Sequence, residues 1–243
     1  MKKNYYFEDF IEKNYRKILK KINSKTIFYD EIKLNKNFTL WRHDVDVSVH
    51  RAYALSKMEN KLKKKSTYFF LLGSNYYNIF EIEIKNLVFK IMSLGHQLGL
   101  HFDATSYNIK TKKELEKYLL YEKKILENLF QTEIKVFSFH NPTKEILKYD
   151  SYKYANMINT YAKYFNQSVE YCSDSSGYWR HKRLENFLNK KYNNIQVNTH
   201  PCWWQKDIMS PFSRIKRCID GRARKTRFIY SDILKKIGRE NIK

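Results

Sequence analysis

The chain of 243 residues contains few of the residues that interrupt regular structure, with only six glycines and three prolines. So few glycines leave no Gly-rich phosphate-binding loop and no dinucleotide-binding fingerprint, which argues against nucleotide-dependent chemistry. Flexible linkers are missing as well, so we expect one domain over residues 1–243. Its core is predicted at about 26–204, followed by a basic helical extension over 205–243.

Cysteines and long apolar runs are also scarce. The three cysteines Cys172, Cys202 and Cys218 are odd in number and lack the close spacing of a zinc or redox motif, which agrees with a reducing compartment. No apolar stretch reaches the roughly 18 residues of a membrane-spanning helix, and the N-terminus shows no signal-peptide pattern. We therefore expect a cytoplasmic protein.

Acidic residues are outnumbered, since 47 lysines and arginines against 25 aspartates and glutamates give a formal net charge of +22. Such a charge attracts polyanions, but here it is dispersed over a chain rich in Asn, Ile, Tyr and Phe and accompanies no recognition motif. We expect no specific nucleic-acid partner. The exception is residues 214–227, where basic side chains crowd together and could contact a phosphate-bearing or membrane-surface partner. They are Arg214, Lys216, Arg217, Arg222, Arg224, Lys225 and Arg227.

Short strand-like runs alternate with longer helical patterns along the chain. Strands are predicted at 26–29, 38–45, 66–72, 97–102, 134–139, 168–172 and 195–199, and helices at 49–63, 79–93, 112–130, 144–163 and 182–191. This alternation predicts an α/β fold with a parallel sheet that closes into a barrel, with an open doubly wound sheet as the alternative. Residues 1–25 are predicted to form an amphipathic helix, and 205–243 one or two basic helices.

Histidines and carboxylates follow the predicted strands. Four of the seven histidines, namely His43, His101, His140 and His200, close apolar segments. Because the carboxyl ends of parallel strands meet on one face of a sheet, these distant residues are expected to become neighbours there.

The cluster at residues 42–46, with the sequence RHDVD, offers two carboxylates. Side chains alternate across a strand, so Asp44 and Asp46 point the same way. One could ligate a divalent metal while the other accepts a proton from the metal-bound water. The alternative for Asp46 is a helix cap near Ser48.

Aromatic residues follow His200. Trp203 and Trp204 could stack on a sugar or shield a site from water, and the alternative is ordinary core packing. His101 is a candidate ligand or acid-base group, with a hydrogen-bonded core histidine as the alternative reading.

The order of these motifs resembles the polysaccharide deacetylase family, also called NodB-homology or family 4 carbohydrate esterases. The matching pieces lie at 42–46, 66–70, 95–103, 173–180 and 199–201, so the resemblance spans about 38–204. It implies a distorted parallel (β/α) barrel, here with extra N- and C-terminal helices.

The resemblance also implies roles for single residues. Asp44 matches the family's general base, Asp46 and His101 match metal ligands, and His200 matches the general acid. Asp174 lies in the region that in this family supplies a carboxylate orienting that histidine. The implied reaction is hydrolysis of an N-acyl group from an amino sugar. The implied cofactor is a divalent metal, with zinc favoured and nickel, cobalt or iron as alternatives.

One departure from the family concerns the metal. The second histidine of the family's metal motif is replaced by Thr105, and a catalytic zinc normally has three protein ligands. His140 is the predicted replacement and Asp103 the second choice; without either, the site would be metal-free or inactive.

Substrate contacts are predicted for Arg42, Arg180, Trp203 and Trp204. The expected substrate is an N-acetylated or N-formylated amino sugar, nucleotide-linked or lipid-linked, that serves as a precursor of a surface polysaccharide or lipopolysaccharide. The alternative is an inactive deacetylase-like protein that binds carbohydrate or assists assembly.

Overall fold

A computed structural model describes residues 5–32, 37–179 and 181–242. In this part of the chain nine strands and seven α-helices alternate, joined by short 3-10 turns. The strands are β1 Lys25–Thr26, β2 Phe38–Val45, β3 Thr67–Leu71, β4 Gln97–Phe102, β5 Val136–Phe139, β6 Lys153–Tyr154, β7 Met157–Asn159, β8 Glu170–Ser173 and β9 Asn194–Thr199. The helices are α1 Glu12–Lys21, α2 Val49–Lys61, α3 Ile82–Ser93, α4 Lys112–Phe130, α5 Lys163–Ser168, α6 Leu184–Asn189 and α7 Pro211–Lys236.

The strands form one sheet in the order β6-β7-β5-β4-β3-β2-β9-β8, with β1 paired to the start of β2. Every described pair is parallel except the β6–β7 hairpin. The sheet curls into a half-barrel with flanking helices, which confirms the predicted α/β class and distorted parallel barrel. β6 and β8 are its edges.

Strand β2 lies near the middle of the sheet, and all eight of its residues are buried. A parallel strand covered on both faces is usually a continuous apolar run. Here apolar residues such as Leu40 and Trp41 precede the polar end of the strand. Directly afterwards, Ser48 accepts the backbone N–H of Arg51 at 3.3 Å and caps helix α2. The strand therefore ends on a fixed turn.

Apolar residues of α2, α3 and α4 pack on β2, β3, β4 and β5 in the largest core cluster. A second cluster joins the N-terminal helix α1 to the opposite half of the sheet, where Tyr15, Ile18 and Leu19 pack with Trp41 and Leu184. The amphipathic helix predicted over 1–25 is shorter, since α1 covers only Glu12–Lys21 and Lys25 already belongs to β1. It covers a part of the half-barrel next to β9.

The predicted helix over 144–163 is wrong. The chain instead forms the hairpin β6–β7, which turns at Ala155 and Asn156 with φ of 47° and 61°. A two-residue turn with positive φ at both positions is the turn that a tight hairpin prefers. The buried side chains of Tyr154 and Met157 supplied the apolar spacing that the sequence pattern attributed to a helix.

Two other predictions need adjustment. The predicted strand 26–29 is shorter, since β1 covers only Lys25–Thr26. The predicted basic extension forms one long helix, α7, in which Arg214 is buried. Among the described residues, no helix combines the length and apolar character needed to cross a membrane.

Candidate active site

Asp44 is buried at the end of β2, where Arg42 of the same strand pairs with Asn198 of β9. Its Oδ2 atom accepts hydrogen bonds from Arg42 Nη2 at 2.8 Å and from Asn198 Nδ2 at 3.0 Å. Its other oxygen, Oδ1, is buried without a hydrogen-bond partner in the described structure. One oxygen is therefore held while the other is free to act.

Electrostatics keeps Asp44 ionised. Burial alone would raise the pKa of this carboxyl, but the positive charges of Arg42, His101 and His200 outweigh it and hold the pKa at about 2. A buried carboxylate with an unused lone pair can accept a proton from a neighbouring water.

Arg42 was predicted to contact substrate, and the structure places its guanidinium against Asp44. The group also donates to Ser138 Oγ at 2.9 Å and lies over the rings of Phe69 and Tyr161, at 5.5 and 5.4 Å. Arg42 is 1% exposed, although it lines the inner wall of the cavity described below. Its contacts thus fix the carboxylate in place.

Sequence reasoning did not single out Asn198 or Ser138. Both lie at strand ends, and Asn198 precedes His200 by two residues. The alternation of side chains along a strand was the available signal for Asn198. The hydrogen bond from Arg42 to Ser138 joins residues far apart in the sequence, so no local sequence pattern could predict it.

Asp46, His101 and His140 come together beside Asp44. Each offers a ligand atom, and these atoms lie within 4.8 Å of one another. His101 Nε2 is 3.0 Å from Asp46 Oδ1, yet that oxygen has no partner in hydrogen-bond geometry. The Nδ1 atom of His140 is also buried without a hydrogen-bond partner in the described structure.

The other nitrogen of His101 explains its orientation. His101 Nδ1 lies 3.2 Å from the carbonyl oxygen of Ser138, and a carbonyl can only accept, so Nδ1 carries a proton. Once Nε2 has lost its proton, as metal ligation requires, its lone pair points toward Asp46. Two electron-rich atoms facing each other in this way suit a cation between them.

Asp103, the second choice for a third ligand, lies behind His140. Its Oδ2 atom is 3.6 Å from His140 Nδ1, while Oδ1 accepts the backbone N–H and the hydroxyl of Thr105 at 3.0 and 2.7 Å. Thr105 therefore helps to fix a turn. The imidazole that lies near Asp46 and His101 belongs to His140, which follows the next strand, β5.

His200 and Asp174 form a buried pair on the opposite side of Asp46. Asp174 Oδ1 lies 2.7 Å from His200 Nδ1 and accepts the backbone N–H of His200 at 2.9 Å. Burial lowers the pKa of His200, but the hydrogen bond to Asp174 and the charges of Asp46 and Asp44 raise it to about 9. The outer atom, Nε2, lies 3.8 Å from Asp46 Oδ2.

The predicted substrate contacts of the two tryptophans do not match their positions. Trp204 is fully buried and donates its indole N–H to Asp174 Oδ2 at 2.8 Å, so it supports the orienting carboxylate. Trp203 packs on Gly177, where an added Cβ would lie 2.8 Å from the indole ring. Neither lines the cavity among the residues described. Arg180, the remaining predicted substrate contact, lies outside the described residues.

His43 does not join the other strand-end histidines, so its predicted place among them is wrong. Its side chain points to the opposite face of β2, where Nε2 is 2.6 Å from Glu59 Oε1 and Nδ1 is 2.7 Å from Thr199 Oγ1. The reason is strand alternation, because His43 lies between two residues that face the site.

A cavity of about 630 Å³ opens over the cluster. Its lining includes Asp44, Asp46, His101, His140 and His200 together with Tyr161, Tyr171 and Lys182. A cavity of this size accommodates a small-molecule ligand. The flat rings of the tyrosines offer apolar surface beside polar hydroxyl groups.

Solved structures with a similar fold are known for carbohydrate esterases and deacetylases. No protein-family profile matches the sequence, and no curated protein matches it. The fold is similar to a CE4 family pseudoenzyme from Bacillus anthracis, with a TM-score of 0.48 and 13% identity over 79% of this chain and 62% of that one. The chain therefore spans less than two thirds of that protein's length.

Two further structures show a similar course of the chain. Peptidoglycan deacetylase PdaC from Bacillus subtilis gives a TM-score of 0.46 and 12% identity, over 84% of this chain and 98% of that one. The chitin deacetylase from Colletotrichum lindemuthianum gives 0.46 and 10%, over 76% and 81%. At such low identity the likeness concerns the fold alone.

Proposed function

We propose that this protein is a metal-dependent hydrolase that removes an N-acyl group, acetyl or formyl, from an amino sugar. The observation that supports it is the convergence of the Asp46, His101 and His140 ligand atoms within 4.8 Å, beside the unpartnered oxygen of Asp44. His200 completes the arrangement from the other side. The site thus contains candidates for every role that amide hydrolysis needs.

The residues present fit a divalent metal. One carboxylate and two imidazoles are a ligand set found in catalytic zinc sites, where a further position stays open. Zinc is our first choice, with nickel, cobalt or iron as alternatives. When bound, such a cation supplies Lewis-acid polarisation of the acyl carbonyl and lowers the pKa of water.

Asp44 is the proposed general base. Its free Oδ1 accepts a proton as a water molecule attacks the acyl carbon. Arg42 and Asn198 hold the other oxygen, so the carboxylate keeps its orientation while its charge changes. Positioning of this kind is a large part of general-base efficiency.

His200 is the proposed general acid. As the carbon–nitrogen bond of the amide breaks, its Nε2 atom gives a proton to the departing amine, and the acyl group leaves as the carboxylic acid. Asp174 holds Nδ1 and stabilises the imidazolium, and Trp204 in turn holds Asp174. The amine would otherwise be a poor leaving group.

The proposed substrate is a nucleotide-linked or lipid-linked amino sugar made during surface polysaccharide or lipopolysaccharide biosynthesis in the cytoplasm. The cavity volume and the rings of Tyr161 and Tyr171 in its lining support a sugar ring, because sugars stack their apolar faces on aromatic rings. Lys182, which lies 3.3 Å from Glu170, brings a positive charge to the same lining for a linked phosphate.

The test measures release of free amine from N-acetylated and N-formylated amino sugars, offered both free and as nucleotide diphosphate derivatives. We expect turnover by zinc-loaded protein, loss of turnover after removal of metal with a chelator, and recovery when zinc is returned. Turnover that survives complete metal removal would contradict the proposal. Protein that takes up no metal under any loading condition would favour the inactive carbohydrate-binding alternative.

A further inference from the structure

The first half of helix α7 is fixed to the body of the protein. The buried guanidinium of Arg214 donates to the carbonyl oxygens of Gly177 and Phe7 at 2.9 and 3.1 Å. Farther along, Arg222 pairs with Glu81 at 2.5 Å, and Lys225 pairs with Glu83. The side of α7 that carries these residues therefore makes contacts within the chain.

Another side of the same helix is apolar and exposed. It carries Phe212, Ile219, Tyr230 and Ile233, followed by Ile237 directly after the helix, and these residues are 48–77% exposed. Their spacings of seven, eleven, three and four residues return to one side of a helix with 3.6 residues per turn. Exposed apolar residues aligned in this way mark an interaction surface. We call them the α7 apolar face.

The helix that carries the α7 apolar face is also strongly cationic. Helix α7 has nine lysines and arginines against two aspartates, a net charge of +7. Within the described part of the chain, Arg224, Arg227 and Lys235 have no carboxylate at ion-pair distance. These three charges remain available to an outside partner.

We propose that α7 binds the surface of an anionic lipid bilayer. Apolar side chains of an amphipathic helix enter the boundary between headgroups and acyl chains, while flanking cations meet lipid phosphates. A second copy of this chain would bring another net charge of +22 against the first, so like-charge repulsion opposes that occupant. A nucleic acid would satisfy the cations but would leave the apolar face in water.

The position of α7 connects the bilayer to the candidate site. The helix begins shortly after the turn that carries His200, and its residues Cys218 and Arg222 line a cleft together with residues 47–51, which follow Asp46. Bilayer binding would therefore bring the residues that follow the carboxyl end of β2 close to the lipid. If the proposed function holds, the substrate is a lipid-linked amino sugar held in the same membrane.

The experiment is co-sedimentation of the full chain with vesicles of phosphatidylcholine alone or mixed with phosphatidylglycerol. We expect binding to the mixed vesicles only, weakened by salt. The double variant Tyr230→Ser/Ile233→Ser should lower the partition coefficient about tenfold or more. The matched control is Leu120→Ser/Tyr121→Ser on α4, where Tyr121 is 58% exposed against 56% for Tyr230; it should bind like the wild type.

Several results from vesicle binding and oligomeric state would overturn the inference. They are equal binding of both double variants, absence of binding to the mixed vesicles, and a wild-type dimer that the α7 variant converts to a monomer. Salt-sensitive binding to DNA without vesicle binding would also overturn it. Hydrolysis of a soluble amino sugar separates this inference from the proposed function, since the α7 double variant should keep that activity even when vesicle binding is lost.

Discussion

Two buried carboxylates, Asp44 and Glu59, lie on opposite sides of strand β2 and differ in what their oxygens contact. Burial raises the pKa of each, but neighbouring positive groups and hydrogen bonds outweigh it and leave both near a pKa of about 2. Both are thus ionised. Only Asp44 has an oxygen without a partner, and only Asp44 lines the large cavity.

Both oxygens of Glu59 have protein partners. Oε1 accepts from Tyr15 Oη and lies 2.6 Å from His43 Nε2, and Oε2 accepts from Tyr68 Oη at 2.6 Å. A satisfied buried network of this kind stabilises a fold, and Glu59 is not among the residues that line the cavity. An unsatisfied oxygen that faces a cavity, rather than a lowered pKa, therefore distinguishes the candidate catalytic carboxylate from the structural one.

Asp44→Asn gives the largest expected effect. The amide oxygen can still accept the hydrogen bond from Arg42, but the amide cannot take up a proton, so kcat should fall by about 10⁴-fold. Amine release and zinc content measured together check this result. Full activity in a variant that keeps its metal would remove Asp44 as the base.

Glu59→Gln should have the reverse outcome. Replacing the carboxylate leaves His43 without its charged partner in the core, so the free energy of unfolding at neutral pH should fall by about 3 kcal/mol. The kcat of the folded fraction should stay near that of the wild type. Urea denaturation and turnover below the unfolding transition test both parts. A large loss of kcat without loss of stability would contradict the structural role assigned to Glu59.

Glu122 on α4 gives a smaller effect that depends on pH. It accepts from Tyr107 Oη at 2.6 Å, its Oε2 atom has no partner in the described structure, and burial raises its pKa to about 7 from an ordinary 4.5. A raised carboxyl pKa means that the folded state binds the proton more tightly. This stability is present below about pH 4.5 and is lost as the pH rises through about 7.

Glu122→Gln should therefore stabilise the protein at pH 8 by about 2 kcal/mol relative to its effect at pH 4. Glu116→Gln on the same helix, where the side chain is 42% exposed, is the matched control, and its stability change is subtracted at each pH. Thermal unfolding at the two pH values measures the difference. Equal stability changes at both pH values would contradict the raised pKa of Glu122.

The sequence allowed part of this site to be predicted, because strand-end positions follow from local patterns. Asp44, Asp46, His101 and His200 each close an apolar run, and parallel strands bring such ends together. The grouping of His140 with Asp46 and His101 agrees with the prediction made for it, although its role as a ligand stays a prediction.

Other features depended on contacts between distant residues. The pairing of Arg42 with Asp44 and Ser138 arises from strand register, and the burial of Trp204 arises from packing of α1 against β9. The hairpin over residues 153–159 was missed because its turn residues, Ala155 and Asn156, lack the glycine that usually signals such a turn. Long-range packing decided the first two features, whereas the hairpin is a local turn without its usual sequence signal.

The central claim is that Asp46, His101 and His140 bind one metal ion. X-ray absorption spectroscopy of the zinc-loaded protein tests it directly, because imidazole ligands give a countable scattering signature. We expect two imidazoles and oxygen ligands in the wild type, and one imidazole in His140→Ala. A wild type without bound zinc, or an unchanged histidine count in His140→Ala, would contradict the account.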